Sequence, residues 1–401
     1  MKKYKSLKSV FHQDDRSTAE QEAQRRRSNG FETNFEMNGN KLFYAVTPQL
    51  LLLQEQVLLN ERTLEVLAAD IPLAARRSYL YELITQEITA SHEIEGVRST
   101  RHEIQQALEA EPRENRKFRQ TARLYLELSD GQVKAPTTLD EIREIYDRLF
   151  GAEIVTEDRP DGDLFRLNPV YVYDGADKGI HAGSATEEDI SKQLQAMLDH
   201  LADDEAPSLL SRVVSHFMFE AVHPFYDGNG RLGRFLLSVQ LQEVFSAYTV
   251  LTLSYLINQR RAEYYKAFTE VEEPLNMADA TSFVQTMLGF IRDAQQRLID
   301  DFVDKKYLME GLKFHVHHLS QSAELPQDTV STLFILGQVH LFGGERGLDW
   351  DTLSEVIGKS RSTTRKYITE LEEQGLAQRV SSRPLRLRLS EKGLALLFPE
   401  Q

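Results

Sequence analysis

The sequence predicts a mainly α protein of more than one domain, and three observations carry that prediction. Apolar residues recur at intervals of three and four through most of the chain as far as residue 312, the pattern of amphipathic helices. Strand-like alternation before residue 375 is concentrated in one stretch, 162–183. After about residue 326 the pattern becomes helix, helix, turn, helix and two alternating segments, the order of a winged helix-turn-helix. A length of 401 residues exceeds what one core usually serves, so two or three domains are expected.

The elements follow in order. Residues 1–47 are polar, with the charged run AEQEAQRRRSNG, and are expected to drape over another surface or stay mobile. PQLLLLQEQVLLNERTLEVLAAD (48–70) and LAARRSYLYELITQEITASHEIEG (73–96) read as two helices separated at Pro72, the second stopping at Gly96. A third helix fits 100–111. A fourth, over 137–151, opens on a capping box from Thr138 to Glu141 and closes at Gly151. Segment 162–183 alternates aromatic and β-branched residues around a Gly/Asp-rich turn, a short hairpin. Helical spacing returns over 187–204, 207–222, 231–248 and 278–312, and then over 328–340, 349–358 and 360–375, before two strands in 376–390. The expected organisation is a polar segment (1–47), a helical region (48–110), a helical core with its hairpin (111–305) and a winged helix-turn-helix domain (326–401).

A net charge of −15 argues against affinity of the whole protein for nucleic acid or an anionic membrane. With no cysteine, a disulfide framework, a thiolate zinc site and a cysteine nucleophile are excluded, which suits a reducing cytoplasm. The amino terminus lacks the apolar run of a signal peptide, and no stretch approaches the roughly 20 apolar residues of a membrane span. A cytoplasmic location with no membrane partner is expected.

The chemistry concentrates in AVHPFYDGNGRLGR, residues 221–234. Pro224 disfavours helical angles at His223 and lacks an amide donor, so a helix ends there and holds His223 at its exit. The next helix begins around Arg231. Gly228, Asn229 and Gly230 therefore place bare backbone amides at a helix amino terminus, where an anion is favoured. Arg231 and Arg234, three apart, add charge on one helix face. Asp227 beside a phosphate cradle makes sense if a divalent cation such as Mg2+ bridges carboxylate and phosphate oxygens. His223 is suited to accept a proton from an incoming hydroxyl. Attack on a phosphoryl group is the chemistry these residues suggest. Singly, each is also an ordinary helix stop or surface residue; the constellation is what is specific.

HPFYDGNGRLGR resembles, position by position, the HPFx[D/E]GNGRxxR motif of the Fic family. That resemblance implies transfer of AMP from ATP to a hydroxyl side chain of a target protein, on a helical core with a β-hairpin flap. It implies His223 as the base, Asp227 as the magnesium ligand, Asn229, Gly230 and Arg231, with Gly228, as the phosphate-holding group, and Arg234 on the γ-phosphate. The hairpin at 162–183 stands at the flap position, where the target segment would align by strand addition. Upstream, ITASHEIEGVRST is similar to the family's inhibitory helix, [S/T]xxxE[G/N], through Ser91, Glu95 and Gly96. The implication is an amino-terminal helix, around 80–96, whose Glu95 pairs with Arg234 and blocks the γ-phosphate seat. LTLSYLINQRRAEYYKAF is similar to the segment beside the nucleotide: Ser254, Ile257, Arg261, Tyr264 and Tyr265 match, while Arg260 replaces the usual asparagine. The resemblance covers roughly 80–300, and family members often form homodimers.

Two other readings compete. Residues 359–388 hold eight Lys or Arg against three Glu, a local net of +5, so the third helix, with Ser362, Thr363 and Thr364 near its start, and the basic wing could serve a DNA-binding regulator. Within the Fic chemistry, Glu95 could also position water and remove AMP.

Overall fold

The computed structural model describes residues 4–110, 114, 116–151, 153–173, 179–322, 325–382 and 385–399. In chain order come helices α1 (Leu7–Gln13) and α2 (Arg16–Ser28), strands β1 (Gly30–Met37) and β2 (Asn40–Ala45), helices α3 (Pro48–Ala69), α4 (Leu73–Ile94), α5 (Arg101–Glu109), α6 (Arg119–Ser129) and α7 (Leu139–Phe150), and strands β3 (Tyr171–Tyr173) and β4 (Gly179–Ala182). Helices α8 (Glu187–Leu201), α9 (Ser208–Val222), α10 (Asn229–Leu241), α11 (Ala247–Val250), α12 (Leu253–Gln259), α13 (Arg261–Glu272), α14 (Thr281–Ser322) and α15 (Gln327–Gly343) follow. The chain finishes with β5 (Leu348–Asp349), α16 (Trp350–Ile357), α17 (Arg361–Glu373), β6 (Ala377–Ser382), β7 (Leu385–Leu389) and α18 (Glu391–Leu397). The fold is mainly helical, as the spacing predicts. It divides into two compact units, 1–61 with 84–295, and 62–83 with 296–401, so the second takes in more than the expected 326–401. No helix among the described residues is long and apolar enough to cross a membrane.

In the first unit α10 is a core helix: every residue from Asn229 to Leu241 is buried, Arg231 and Arg234 included. Two buried guanidinium groups require partners, and those partners define the site described below. α10 ends at Leu241 rather than at the expected 248. Beyond it the buried Glu61 carboxylate accepts the Ser246 N–H at 2.7 Å and the Thr249 hydroxyl at 2.5 Å, which turns the chain into α11. α6 is an element the sequence reading left unassigned.

The amino-terminal segment departs from expectation. Far from draping loosely, it folds as α1, α2 and a β1–β2 hairpin whose turn residues Asn38 and Gly39 have φ of 51° and 73°, the geometry an Asn-Gly pair favours. Its anchor is Arg26, 5 % exposed, which donates to Asp279 at 2.9 Å and to Glu22 at 2.9 Å, while the Tyr4 hydroxyl donates to the same Asp279 at 2.7 Å. Backbone bonds between Phe43 and both Ala278 and Ala280 fix β2 beside the start of α14. A run that reads as polar is thus held by one buried, fully partnered cation.

In the second unit β5, β7 and β6 form an antiparallel sheet in that order. Helix, strand, helix, helix and hairpin follow one another along the chain. Thr364, expected near Ser362 and Thr363 on an outward face, is fully buried with Ile368 and Leu371, whereas Arg361, Ser362, Arg365 and Lys366 are exposed. The helical period explains it: 364, 368 and 371 share the inward face.

Candidate active site

α9 delivers His223 to the site. Its N–H still bonds the Phe219 carbonyl at 3.1 Å, but the residue itself is left-handed, φ 53° and ψ 62°, a position that costs a non-glycine residue on the order of 1 kcal/mol. A fully buried arginine maintains it. Arg166 donates Nε to the His223 carbonyl at 2.8 Å, Nη1 to Asn168 at 2.6 Å and Nη2 to Ser184 at 2.8 Å. These acceptors are all neutral carbonyls, and burial pulls the Arg166 pKa below its usual value. The Ser184 N–H also bonds the Val222 carbonyl at 3.0 Å, and a Cβ on Gly183 would come within 2.9 Å of the His223 Cβ. The base of the β3–β4 hairpin is therefore stitched to the His223 loop; the hairpin's Gly/Asp-rich turn, 174–178, lies outside the described residues.

Beyond Pro224 the loop is rigid. Phe225 stacks on Tyr146 with centroids 3.7 Å apart. The Asn229 side chain, buried, accepts the Phe225 N–H at 2.9 Å and donates to its carbonyl at 2.7 Å, so the side chain is committed to holding the loop. Gly228 caps α10 at φ 88°, with the Phe150 ring where a Cβ would go, 3.0 Å away. α10 thus starts at Asn229, two residues before the position expected from sequence. Asp227 accepts the Gly228 N–H at 2.6 Å and Arg231 Nη2 at 3.1 Å, and half its side chain stays exposed. Among the described residues no group of three or more His, Asp or Glu could hold a metal ion. A cation on Asp227 would complete its shell with water and phosphate oxygens, which is magnesium's habit, and the exposed carboxylate fits that role. Arg231 lies over the Phe150 ring at 4.6 Å and 3.8 Å from the partly buried Glu153.

The structure joins Glu95 to Arg234. α4 ends at Ile94 and Gly96 turns at φ 69°, which aims the Glu95 carboxylate into the start of α10. Arg234 Nη1 stands 2.8 Å from Glu95 Oε1, while its Nε and Nη2 donate to the Ser91 hydroxyl at 3.0 Å and the Ser91 carbonyl at 2.9 Å. Burial works against the Arg234 charge, but Glu95, with Tyr264 and Glu220 nearby, more than offsets it and the pKa rises. A Cβ on Gly230 would be 2.2 Å from Glu95 Oε1, so the carboxylate occupies the space that this glycine leaves. An anion already sits where the helix amino terminus and Arg234 converge.

A cavity of about 120 Å³ opens between Glu95, Glu220, His223, Gly230, Arg234 and Tyr264, below the about 300–1,000 Å³ of ordinary small-molecule pockets. Tyr265, 42 % exposed, also lines it. Tyr264 is buried with its hydroxyl 2.7 Å from His216 Nε2. Arg260, by contrast, is engaged with Glu263 and Asp293 at 2.9 and 2.6 Å and is not among the cavity's walls.

Sequence reasoning passed over Arg166, His216, Glu153 and Glu87. Glu87 lies outside the pattern that picked out Ser91 and Glu95, but it stands one turn before Ser91 on the same face of α4. It is fully buried, and its Oε2 accepts the Ser254 N–H at 2.9 Å. Burial, only partly opposed by Ser254 and Arg234, pushes its carboxyl up to about 7. His92 and His216 go the other way, to about 3, through burial and then the nearby arginines. At about pH 5.5 the unfolded chain binds protons on both histidines that the native state excludes, so stability rises with pH; Glu87 binds a proton only when folded, which has the opposite sign. Glu87→Gln should therefore steepen the loss of stability from about pH 6.5 to 5, by up to about 1.4 kcal/mol per pH unit, measured by urea unfolding at successive pH values. An unchanged slope would mean that Glu87 is ionised in the native state.

Comparison with known proteins agrees with this geometry. Residues 136–241 match the family model for the Fic/DOC family. A Nematostella vectensis protein named protein adenylyltransferase Fic is 27 % identical over 176 residues, 43 % of this chain and 35 % of that protein. Protein adenylyltransferase fic-1 of Caenorhabditis briggsae is 28 % identical over 165 residues, 40 % of this chain and 29 % of that protein. The match spans about a third of these relatives' length. The crystal structure of a Fic family protein from Desulfovibrio desulfuricans G20 shares the fold, with a TM-score of 0.51 at 21 % identity over 87 % of this chain and 98 % of that one. The matched segment, residues 136–241, takes in the His223 loop and both arginines, and the similarity of this chain to the Fic/DOC family lies there.

Proposed function

We propose that this chain transfers AMP from ATP to a hydroxyl side chain of a target protein, and that Glu95 holds the site off at rest. One observation carries the reading: the Glu95 carboxylate, 2.8 Å from Arg234 and against Gly230, fills the place where a phosphate would be received. The backbone amides at the start of α10, with Arg231 and Arg234, receive the triphosphate. Magnesium on Asp227 would supply charge neutralisation for the phosphates. His223 takes the proton of the target hydroxyl as its oxygen bonds the α-phosphorus; the bond to the α,β-bridging oxygen breaks and pyrophosphate leaves. The hairpin beside His223 is a two-stranded sheet with an edge for an extended target segment. The relatives' name, protein adenylyltransferase, agrees with this chemistry.

With magnesium and α-labelled ATP, a Glu95→Gly chain should label itself or a partner at least ~10-fold above wild type, the loss expected for one charge-assisted pair. γ-Labelled ATP should leave no label. Label from the γ position would indicate a kinase, and none from either would sink the proposal.

A second reading concerns the unit 62–83 with 296–401. A winged helix-turn-helix that binds duplex DNA is favoured by its element order and by Lys359, Arg361, Arg365 and Lys366, all exposed at or near the start of α17. A mobility shift with duplex DNA that weakens steeply with salt would support it, and no shift even at low salt would end it.

A further inference from the structure

Within the His223 loop Phe225 packs on Tyr146, Gly228 caps α10 and Asn229 clamps Phe225, but Tyr226 reaches a different stretch of chain. Its hydroxyl donates to Asp161 Oδ1 at 2.8 Å and accepts from the Asn168 N–H and from Asn168 Nδ2, both at 3.1 Å. Asp161 Oδ1 also accepts the Leu167 N–H at 2.8 Å, and its Oδ2 accepts Asn168 Nδ2 at 3.3 Å. A phenolic hydroxyl gives one hydrogen bond and takes up to two, so a single segment, 161–168, saturates the Tyr226 oxygen. The Leu167 N–H and then the Tyr226 hydroxyl hold the Asp161 carboxyl below its usual pKa.

That segment is itself tied down. The Glu187 carboxylate, at the start of α8, accepts the N–H groups of Asp163, Leu164 and Phe165 at 3.1, 2.7 and 2.8 Å. A Cβ on Gly162 would lie 2.3 Å from Glu187 Oε2, so only glycine fits there. Residues 163–165 lead into β3 and Glu187 follows β4, so one carboxylate joins the two legs of the hairpin. Toward the His223 loop, the legs reach the carbonyls of three consecutive residues: Ser184 N–H to Val222 at 3.0 Å, Arg166 Nε to His223 at 2.8 Å and Arg166 N–H to Pro224 at 3.2 Å. Contacts confined to so short a run leave a hinge. The Tyr226 hydroxyl, further along the loop, closes it.

We propose that Tyr226 is a positioning residue for the transfer: by fixing segment 161–168 it sets the hairpin, and the target segment laid along it, in register with His223. The inference rests on the transferase reading and adds to it the latch that aligns the target. Reacting atoms must come within about 3–3.5 Å of each other, and a hairpin free to swing spends part of its time out of that range. The triphosphate is received by the start of α10, so loosening the hairpin acts on transfer and not on nucleotide affinity.

Tyr226→Phe keeps the ring and removes one oxygen, and because Asp161 and Asn168 are exposed the fold should be kept. In the Glu95→Gly background, at saturating α-labelled ATP, it should slow single-turnover labelling of the chain or of lysate proteins by about 3–10-fold, the factor one ordinary hydrogen bond represents, with the Kd for ATP within ~2-fold. Asp161→Ala should do the same, and the double variant should stay within ~2-fold of the slower single, because both break one latch. Hydrogen exchange on the full chain gives a readout independent of activity. A local role would speed only the Asn168 amide; a positioning role speeds the Arg166 and Ser184 amides as well, at least ~3-fold, while amides within α9 and α10 keep their rates. Labelling as fast as the parent, ATP affinity falling in step with the rate, or unchanged Arg166 and Ser184 amides would each overturn the proposal. No label from the Glu95→Gly parent would instead end the transferase reading, and the exchange rates then decide alone whether Tyr226 holds the hairpin.

Discussion

A Glu95→Gly chain that also carries His223→Ala should transfer AMP about 10²–10⁴-fold more slowly than Glu95→Gly alone, the usual contribution of a positioned base, while binding ATP nearly as tightly. The separation is expected because the backbone of residue 223, not its ring, organises the loop. Its N–H closes α9 on Phe219 and its carbonyl receives Arg166; Asn229 independently fixes Phe225. Alanine keeps those bonds at the same left-handed angles. Single-turnover label transfer measured beside nucleotide titration reads the two effects separately. A fall in affinity that matches the fall in rate would make the imidazole a binding group, and an unchanged rate would place the base elsewhere.

Arg166→Met should destabilise the protein by at least about 3 kcal/mol and, in the Glu95→Gly background, lower the transfer rate more than ATP affinity. Methionine roughly keeps the volume but removes every donor from three part-buried bonds, to the carbonyls of His223, Asn168 and Ser184, each worth about 1–3 kcal/mol. No carboxylate pairs with Arg166 among the described residues, so the loss is of hydrogen bonds rather than of an ion pair. Lysine would keep the charge yet reach only part of the set, and should recover less than half of the stability in urea unfolding. A change below about 1 kcal/mol would show that water can take the guanidinium's place.

The loop at 221–234 was legible in the sequence because its chemistry is local: proline, glycines and arginines act within a few residues of one another. The pairing of Glu95 with Arg234 came only through the family pattern, for no periodicity relates positions so far apart. Arg166 was hidden by its setting in GDLFRLNP, read as part of a hairpin over 162–183, whereas the first strand begins only at Tyr171 and Arg166 binds backbone carbonyls from three segments. Composition misled at residues 1–47. The charges there suggested a solvated chain, but Arg26 is buried against Asp279, and the Asn38-Gly39 pair between Phe35 and Leu42 was a hairpin signal outweighed by the polar run. α10 was drawn too long because apolar spacing continues past Leu241, and only the buried Glu61 shows why the backbone leaves the helix.

Arg234 commits two donors to Ser91 and one to Glu95. On the proposed reading, nucleotide and the end of α4 compete for one edge of one guanidinium, and competition of this kind is reciprocal. If the Glu95 contact contributes about 2–3 kcal/mol, that edge is vacant in only about 0.7–3 % of molecules, and the apparent affinity for ATP falls by roughly 30–150-fold. Whatever loosens the final turn of α4 tightens nucleotide by the same factor, and bound nucleotide loosens that turn in return. Ser91 meanwhile keeps the guanidinium aimed. One helical turn thus becomes the coordinate along which the chain registers its ATP supply.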